Sequence, residues 1–463
     1  VPVLVVGSPS TTAPAFPVVT PKSRQIIRPL HAVLSRKRWA DSVSQLDLFA
    51  DEAQLEQAIR ALAGSSDAYL KFLSPNDLGL TGSHQAGIYL SRESAPLFLE
   101  GKTVEKGENV EREVRIRFRG GNVAARFVWY GKAKSECRLT RILPLFRPDP
   151  ARLEGSLFIL AASVPDDRSD SLFENDSLFQ CWIIESEDEI RAVLDFLGIT
   201  PAETNQRLRF DLNERLLPEF ERLNASVNEF PSGGEIARRS QSVYERLYGT
   251  LEEGVDDMLL RLIEIEYSLF RYFERKHYQP LIEEGFQRID DFLSLSLEIH
   301  NRRKSRAGNS LEIHLKYVFD RSRIACAHGV ITSDQRRPDF LFPSLDAYES
   351  YRVRHREAEN NVSSSDAEGV FFLAAKTTCK DRWRQILTEA PGVNRRYLFT
   401  LQQAISKAQL DEMSDEGVTV VMPESYRRKF DAQNRGRIMS LAEFIEKLRQ
   451  AGCESHDSAG LFG

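Results

Sequence analysis

The chain has 463 residues, 41% of them hydrophobic and 28% charged, with a formal net charge of −6. That length exceeds one ordinary core and predicts two domains, and the composition excludes a disordered chain. The acidic balance excludes a protein that coats nucleic acid non-specifically, although a local basic surface still acts over roughly 8–10 Å.

Five widely spaced cysteines without a CxxC pair, and eight histidines without HExxH, argue against a zinc site or a disulfide framework and fit a reducing compartment. No apolar run approaches the ~18–20 residues that span a bilayer. The opening VPVLVV is too short for a signal-peptide core, so a cytoplasmic protein without membrane association is expected.

Residues 1–50 read as an amino-terminal extension, partly disordered, in which SPSTTAPAFPVVTPK (8–22) is rich in Pro, Ser and Thr. A helix follows at 51–64, with apolar residues at 55, 58, 59 and 62. Short strand-like runs come next: AYLKFLS, AGIYLS, APLFLE, SLFILAAS and QCWIIES. Their cadence predicts a small β-rich barrel or sandwich over 51–198. Within it the alternation at 114–119 puts Val114, Ile116 and Phe118 on one face and Arg115, Arg117 and Arg119 on the other. Together with the basic stretch 130–141, this points to a phosphate-tracking surface.

EDEIRAVLDFLG closes that domain as a helix, and 199–227 reads as a polar, partly helical connector. The second domain spans 228–453, with a tail at 454–463. It opens at FPSGGE, continues through long amphipathic stretches to about 299, and reaches NRRKSRAGNSLEIHLKYVFD. There Ser310 or Asn309 is expected to cap a helix that buries Leu311, Leu315 and Val318. Strands at DFLFPS, VFFLAAKT, RRYLFTLQ and VTVVMP, with helices between them and at SLAEFIEKLRQAG, predict an α/β or α+β core.

Three features of this second domain converge. Pro338 biases its neighbour towards extended backbone and sets Asp339 at the mouth of a strand. A buried strand delivers Lys376, and the helix after it carries Glu389. Phosphodiester hydrolysis needs a hard cation on oxygen ligands, a polarised water and compensation for phosphate charge. Asp339 and Glu389 offer Mg²⁺ ligands, Lys376 a contact to water and phosphate, and Glu312 a further acid. Taken by itself the spacing favours the plainer readings: a common turn, a solvated lysine and a surface glutamate.

RRPDFLFPS…LAAKTTCKDRWRQILTEA, with NRRKSRAGNSLEIHL upstream and YLFTLQ downstream, resembles the catalytic domain of the EcoRII restriction endonuclease family, a branch of the PD-(D/E)xK nucleases. In that branch the acid two residues before the lysine has moved to the following helix; here position 374 is alanine. LKFLSPNDLGLTGSHQAGIYL and GKAKSECRLTR resemble the family's amino-terminal B3-like effector domain, an all-β pseudobarrel. The resemblance covers roughly residues 51–450.

The resemblance implies a catalytic set of Asp339, Lys376, Glu389 and Glu312, with Arg303 and Tyr348 near the active site and Asp339 and Glu389 as Mg²⁺ ligands. It gives the stretch Lys380-Asp381-Arg382 the reading of CC/GG pairs. Arg382 suits guanine O6/N7 and Asp381 cytosine N4; Arg384 suits a phosphate, and Trp383 a packing anchor. The implied effector-domain DNA contacts are His84, Tyr89, Lys132, Lys134, Glu136 and Arg138. The expected protein is a Mg²⁺-dependent type II endonuclease that cuts double-stranded DNA at CCWGG-like sites as a homodimer. Its amino-terminal domain would bind a second site and regulate the first, and a cognate methyltransferase would accompany it. The rivals are a mismatch or repair nuclease and a non-cleaving DNA-binding regulator on a nuclease scaffold.

There are departures. Residues 352–368 are longer than the family pattern and read as a surface loop. Cys137 replaces a basic residue, and Lys134 replaces an arginine whose bidentate contact lysine cannot reproduce.

Overall fold

The arginine-bearing alternation is realised in the first of two sheets. The computed structural model describes residues 54–65, 67–81, 87–99, 101–119, 121–132, 135–162, 178–208, 216–224, 229–249, 253–358, 369–389, 393 and 396–455. The first sheet comprises β1 (Ala68–Phe72), β2 (Ile88–Leu90), β3 (Asn109–Phe118), β4 (Gly121–Tyr130), β5 (Cys137–Thr140), β6 (Leu157–Ala162), β7 (Leu178–Ile184) and β8 (Gln206–Leu208). Their order is β2-β5-β4-β3-β7-β6-β1-β8, antiparallel except for the parallel pair β3–β7. Val114 and Ile116 are buried, while Arg117 on the opposite face is exposed.

This sheet curls around one core and presents a second. Tyr69, Phe158, Leu160 and Ile183 join Ile116, Phe127 and Trp129 on the inner face. The alternate residues Leu70, Phe72, Ile159 and Trp182 pack outward against α1 (54–64) and α2 (Glu187–Leu197). Strands buried on both faces read as continuous apolar runs, which is why β1, β6 and β7 are conspicuous in the sequence. Gly198 closes α2 in the left-handed region (φ 68°), the usual glycine C-cap, and a Cβ there would lie 3.0 Å from Arg303.

The second module begins with three helices, α3 (Gly233–Tyr248), α4 (Val255–Glu284) and α5 (Ile289–Arg321). In chain order there follow β9 (Ala327–His328), β10 (Phe340–Phe342), α6 (Leu345–Ala358), β11 (Phe371–Lys376), α7 (Ile386–Glu389), β12 (Arg396–Thr400), α8 (Lys407–Asp415), β13 (Val418–Met422), β14 (Ile438–Ser440) and α9 (Leu441–Gln450). The six strands form a mixed sheet in the order β14-β13-β12-β11-β10-β9, parallel from β11 to β14 and antiparallel at β9 and β10. Phe319 of α5 packs edge-on against Phe340 and Phe342, centroids 5.3 and 5.1 Å apart, and locks the helix onto the sheet. Ser440 caps α9 with a full capping box. Both modules belong to one compact unit, Gln54–Gly463.

Several expectations are corrected. APLFLE is not a strand: Ala95–Phe98 is a short helix with proline at its first turn, where the missing N–H costs nothing. Neither Ser310 nor Asn309 caps a helix, because α5 runs unbroken from Ile289 to Arg321. Leu311, Leu315 and Val318 are nevertheless buried as expected, and tertiary burial of Arg306 and Ser310 carries the helix through the polar stretch. The presumed loop at 352–368 begins as helix, since Arg352–Ala358 belong to α6 and Arg352 pairs with Asp334 at 3.1 Å. In the connector, Gln206–Leu208 pair with β1 as an edge strand.

Candidate active site

Three of the sequence-predicted residues meet at the end of β11. The antiparallel register sets Phe340 opposite Leu373, which brings Asp339 beside the last residues of the strand. Asp339 Oδ2 accepts hydrogen bonds from the Ala375 N–H (2.8 Å) and from Lys376 Nζ (2.9 Å). Lys376 Nζ also lies 3.2 Å from Glu389 Oε1. Lys376 is buried, at 9% exposure, so its ammonium lies between two carboxylates with little water.

Charge and burial compete here. Burial opposes the Lys376 ammonium, but Asp339 and Glu389 outweigh it and hold its pKa above the ordinary lysine range. Burial, reinforced by Asp339, raises the Glu389 pKa against the pull of Lys376. Glu389 Oε2 is buried and has no hydrogen-bond partner among the described residues. An orphaned carboxylate oxygen beside a second carboxylate fits a hard divalent cation, which would relieve both burial and repulsion. Among the described residues no group of three or more His, Cys, Asp or Glu gathers to hold a metal. Two carboxylates leave the remaining positions of such a cation to water and substrate oxygens.

The loop after Lys376 is held by the first module. Glu187, at the start of α2 and 3% exposed, accepts from Thr378 Oγ1 (2.7 Å) and from the backbone N–H groups of Asp381 and Arg382. The Lys380 ammonium donates to the Glu185 carbonyl oxygen, and burial lowers its pKa. Arg382 is partly buried, and its charge is felt at both Glu389 and Asp195 of α2. Arg384 is exposed, pairs with Glu412 at 2.5 Å and lies over the Trp383 ring. Trp383 is 2% exposed, the packing anchor its sequence setting predicted. Residues 382–385 form a 3-10 turn ahead of α7, a tighter entry than the helix expected from Lys380.

The other expected catalytic residues lie in different surroundings. Glu312 bonds His328 Nε2 at 3.0 Å, and the His328 ring stacks on Phe340, centroids 4.7 Å apart. Tyr348 is buried in the sheet–helix core with Arg352 over its ring. Arg303 sits at the seam between the modules, with its Nε 2.6 Å from Glu274 and its guanidinium donating to the Phe196 carbonyl oxygen at 2.7 Å. One turn along α5, the fully buried Arg306 donates to Glu203 at 2.6 Å.

In the first module Tyr89 pairs with Arg138 across β2 and β5. Glu136 Oε1 accepts from Arg138 Nε at 2.9 Å, so these three side chains form one group. Lys132 is exposed in the β4–β5 turn. His84 and Lys134 lie outside the described residues. Sequence reasoning missed the support beneath Tyr89: buried Lys71 donates to the Tyr89 carbonyl oxygen (2.8 Å) and to Asp77 Oδ1 (2.9 Å), while Asp77 accepts the Tyr89 N–H (3.0 Å). It also missed His328, Glu185 and Glu187. A lysine in the apolar run AYLKF was the one local signal; nothing near 185–187 singled out its glutamates.

Residues 270–445 match the family model described as EcoRII C terminal, and residues 63–202 match that for Restriction endonuclease EcoRII, N-terminal. Over 412 residues the chain is 32% identical to the type II restriction enzyme EcoRII of Escherichia coli, covering 82% of this chain and 93% of that one. Two solved structures are also similar. Metal-depleted Ecl18kI in complex with uncleaved, modified DNA matches at 16% identity, covering 52% of this chain and 85% of that one, with a TM-score of 0.35. A PspGI restriction endonuclease–substrate DNA complex matches at 17% identity, covering 48% and 93%, also with a TM-score of 0.35. With both halves matched in order and nearly all of the relative spanned, the chain belongs to the EcoRII family of restriction endonucleases.

Proposed function

We propose that this type II restriction endonuclease hydrolyses both strands of double-stranded DNA at CCWGG-like sites with Mg²⁺. The observation that carries the reading is the buried Asp339–Lys376–Glu389 cluster with its orphaned Glu389 oxygen. In this reading the mixed sheet is a PD-(D/E)xK core whose second acid has moved to α7, and the curled sheet is a B3-like pseudobarrel.

Asp339 and Glu389 would hold the cation, which when bound polarises the scissile phosphate and its attacking water. Lys376 stays protonated between its carboxylates, so it acts as a cation that binds phosphate oxygen and orients water, not as a base. Arg382 and Asp381 read base edges while Arg384 meets the backbone. A palindromic site calls for a two-fold reader, hence a homodimer. A cognate methyltransferase would protect host DNA in the cytoplasm.

The first module acts as the effector. Tyr89, Lys132, Glu136 and Arg138, with His84 and Lys134, bind a second copy of the site. Glu187 on α2 keeps the 378–382 loop tied to that module, so DNA that displaces α2 frees the reading loop. Tyr89 lines a cavity of about 380 Å³ whose other wall is Lys429, Phe430 and Asp431, which links effector occupancy to the module seam. The two docked and released states form a switch biased by a ligand.

The test is digestion of plasmids carrying one or two CCWGG sites, with and without Mg²⁺, followed by sequencing of the ends. Cuts confined to the site and dependent on the cation are expected. Random ends, or binding without cutting under every condition, would overturn the reading.

A further inference from the structure

His328 has no part in the hydrolytic cluster, yet it ties α5 to the strand that follows Asp339. Its Nε2 lies 3.0 Å from Glu312 Oε2, its ring stacks on Phe340 with centroids 4.7 Å apart, and its backbone pairs with Phe340 across β9 and β10. A carboxylate only accepts, so the histidine nitrogen is the donor, in a neutral or a charged ring.

Helix geometry places the acid it holds. Phe319 meets both Phe340 and Phe342, so α5 lies over β10 at that point. Glu312 is two turns earlier on the same face of the helix, about 10 Å along the axis. Its bond to His328, opposite Phe340, shows that the axis runs towards the Asp339 end of the strand and not past Phe342. Side chains alternate along β10, so Phe340 and His328 face α5 while Asp339 turns to the side of Lys376. Glu312 therefore overhangs the strand mouth without becoming a third ligand beside Asp339 and Glu389; no such group of three gathers among the described residues. Only one of its oxygens is engaged. Oε1 accepts no hydrogen bond among the described residues, and the side chain is 32% exposed, so it is open to solvent.

We propose that His328 is a positioning residue for the hydrolysis: it clamps Glu312 at the strand mouth, where the free oxygen accepts from water around the cation. The inference rests on the reading of the Asp339–Lys376–Glu389 cluster as the hydrolytic site and adds a residue that the reading lacks. A hard cation such as Mg²⁺ keeps several waters, and groups that accept from a metal's surroundings set how tightly it is held. Without its donor the partly exposed Glu312 side chain spreads over its rotamers, and the acceptor is lost for much of the time. The stack on Phe340 fixes the ring, so the clamp is anchored to the same strand end that carries Asp339.

Three variants of the full chain separate a clamp from mere packing. His328→Leu keeps an apolar side chain against Phe340 and removes the donor, His328→Gln keeps a donor, and Glu312→Ala removes the acceptor. Calorimetry of Mn²⁺ binding to the DNA-free enzyme, the Mg²⁺ concentration for half-maximal cleavage, and thermal melting are compared. His328→Leu is expected to melt close to wild type, yet to weaken Mn²⁺ binding and raise the Mg²⁺ requirement about tenfold or more. Its gel-shift affinity without metal should be unchanged. His328→Gln should recover most of both losses. Glu312→Ala should match His328→Leu, and the double variant should lose no more than Glu312→Ala alone. Wild-type Mn²⁺ binding and Mg²⁺ requirement in His328→Leu, a glutamine variant no better than leucine, or full additivity in the double variant would each overturn the inference. Unchanged Mn²⁺ binding in Glu312→Ala overturns it too, even should the leucine variant not fold. Normal cleavage by Lys376→Ala would instead remove the site reading itself.

Discussion

Two buried lysines, one in each module, make the same contact and serve different ends. Lys71 on β1 and Lys376 at the end of β11 each lie 2.9 Å from an aspartate oxygen. Around Lys71 every valence of the aspartate is used: Asp77 Oδ1 takes Lys71 and the Tyr89 N–H, and Oδ2 takes the N–H and hydroxyl of Ser74. Around Lys376 a second carboxylate is added, and one of its oxygens is left buried and, among the described residues, unpaired. A closed pair of this kind is scaffold. An open one holds unsatisfied charge that a cation and a phosphate can complete, and charge of that sort gathers at functional sites.

Breaking each lysine should separate these roles. Lys376→Ala is expected to lower cleavage on the order of 10³-fold or more, the scale of losing a charge-stabilising donor. Gel-shift affinity for the site should be nearly unchanged, because contacts elsewhere supply it. Lys71→Ala leaves Asp77 buried without its cation and should cost about 3–5 kcal/mol of stability, read as a lower denaturation midpoint. Should Lys71→Ala melt normally while Lys376→Ala unfolds, the assignment of scaffold and site is reversed.

The seam sharpens the comparison, since it is where one module reaches the other's site. Glu187→Ala removes the acceptor for Thr378, Asp381 and Arg382. Cleavage of a one-site plasmid should rise by ~5–150-fold, the span of ordinary allosteric couplings, and stimulation by a short duplex carrying the site should shrink. A slower variant that still responds fully to the duplex would show that Glu187 only braces the loop. Arg382→Ala should lose about 1–3 kcal/mol of discrimination at one guanine across a panel of single-base-changed sites. Equal losses at every position would remove its base-reading role.

The smallest effect concerns protons. The Glu389 pKa is raised, so its protonated form favours the folded state; that contribution is present below the unfolded value and is lost as pH rises through the folded one. At neutral pH and without divalent cation the ionised side chain is a cost. Glu389→Gln should therefore melt no lower than wild type at neutral pH, with any gain disappearing below about 4.5, while cleavage is abolished. Cation affinity in the wild type should fall on acidification at a pH above that of an ordinary carboxylate. A Glu389→Gln variant that is clearly less stable at neutral pH would mean that the Lys376 contact outweighs burial.

Much of the catalytic half is legible in the sequence because its signals are local. VFFLAAK is an apolar run ended by a charge, so it announces a buried strand delivering a lysine to a strand mouth. Asp339 follows Pro338 directly before the apolar run FLF, and the Ser440–Glu443 capping box marks the final helix. Residues that touch the same atoms inside a short segment constrain each other, and those constraints survive in the order of the chain. The long-range pairings were decided only by packing. Glu187 meets Thr378 at a sequence separation of 191, and Arg303, read as an active-site arginine, is claimed at the seam by Glu274 and Phe196. Ser310, a good cap by local preference, lies in the middle of a helix because burying α5 outweighs what one cap contributes, about 1 kcal/mol. Local preference thus set the elements and the identity of the chemistry, while burial of one module against the other chose which charges are satisfied and which remain open.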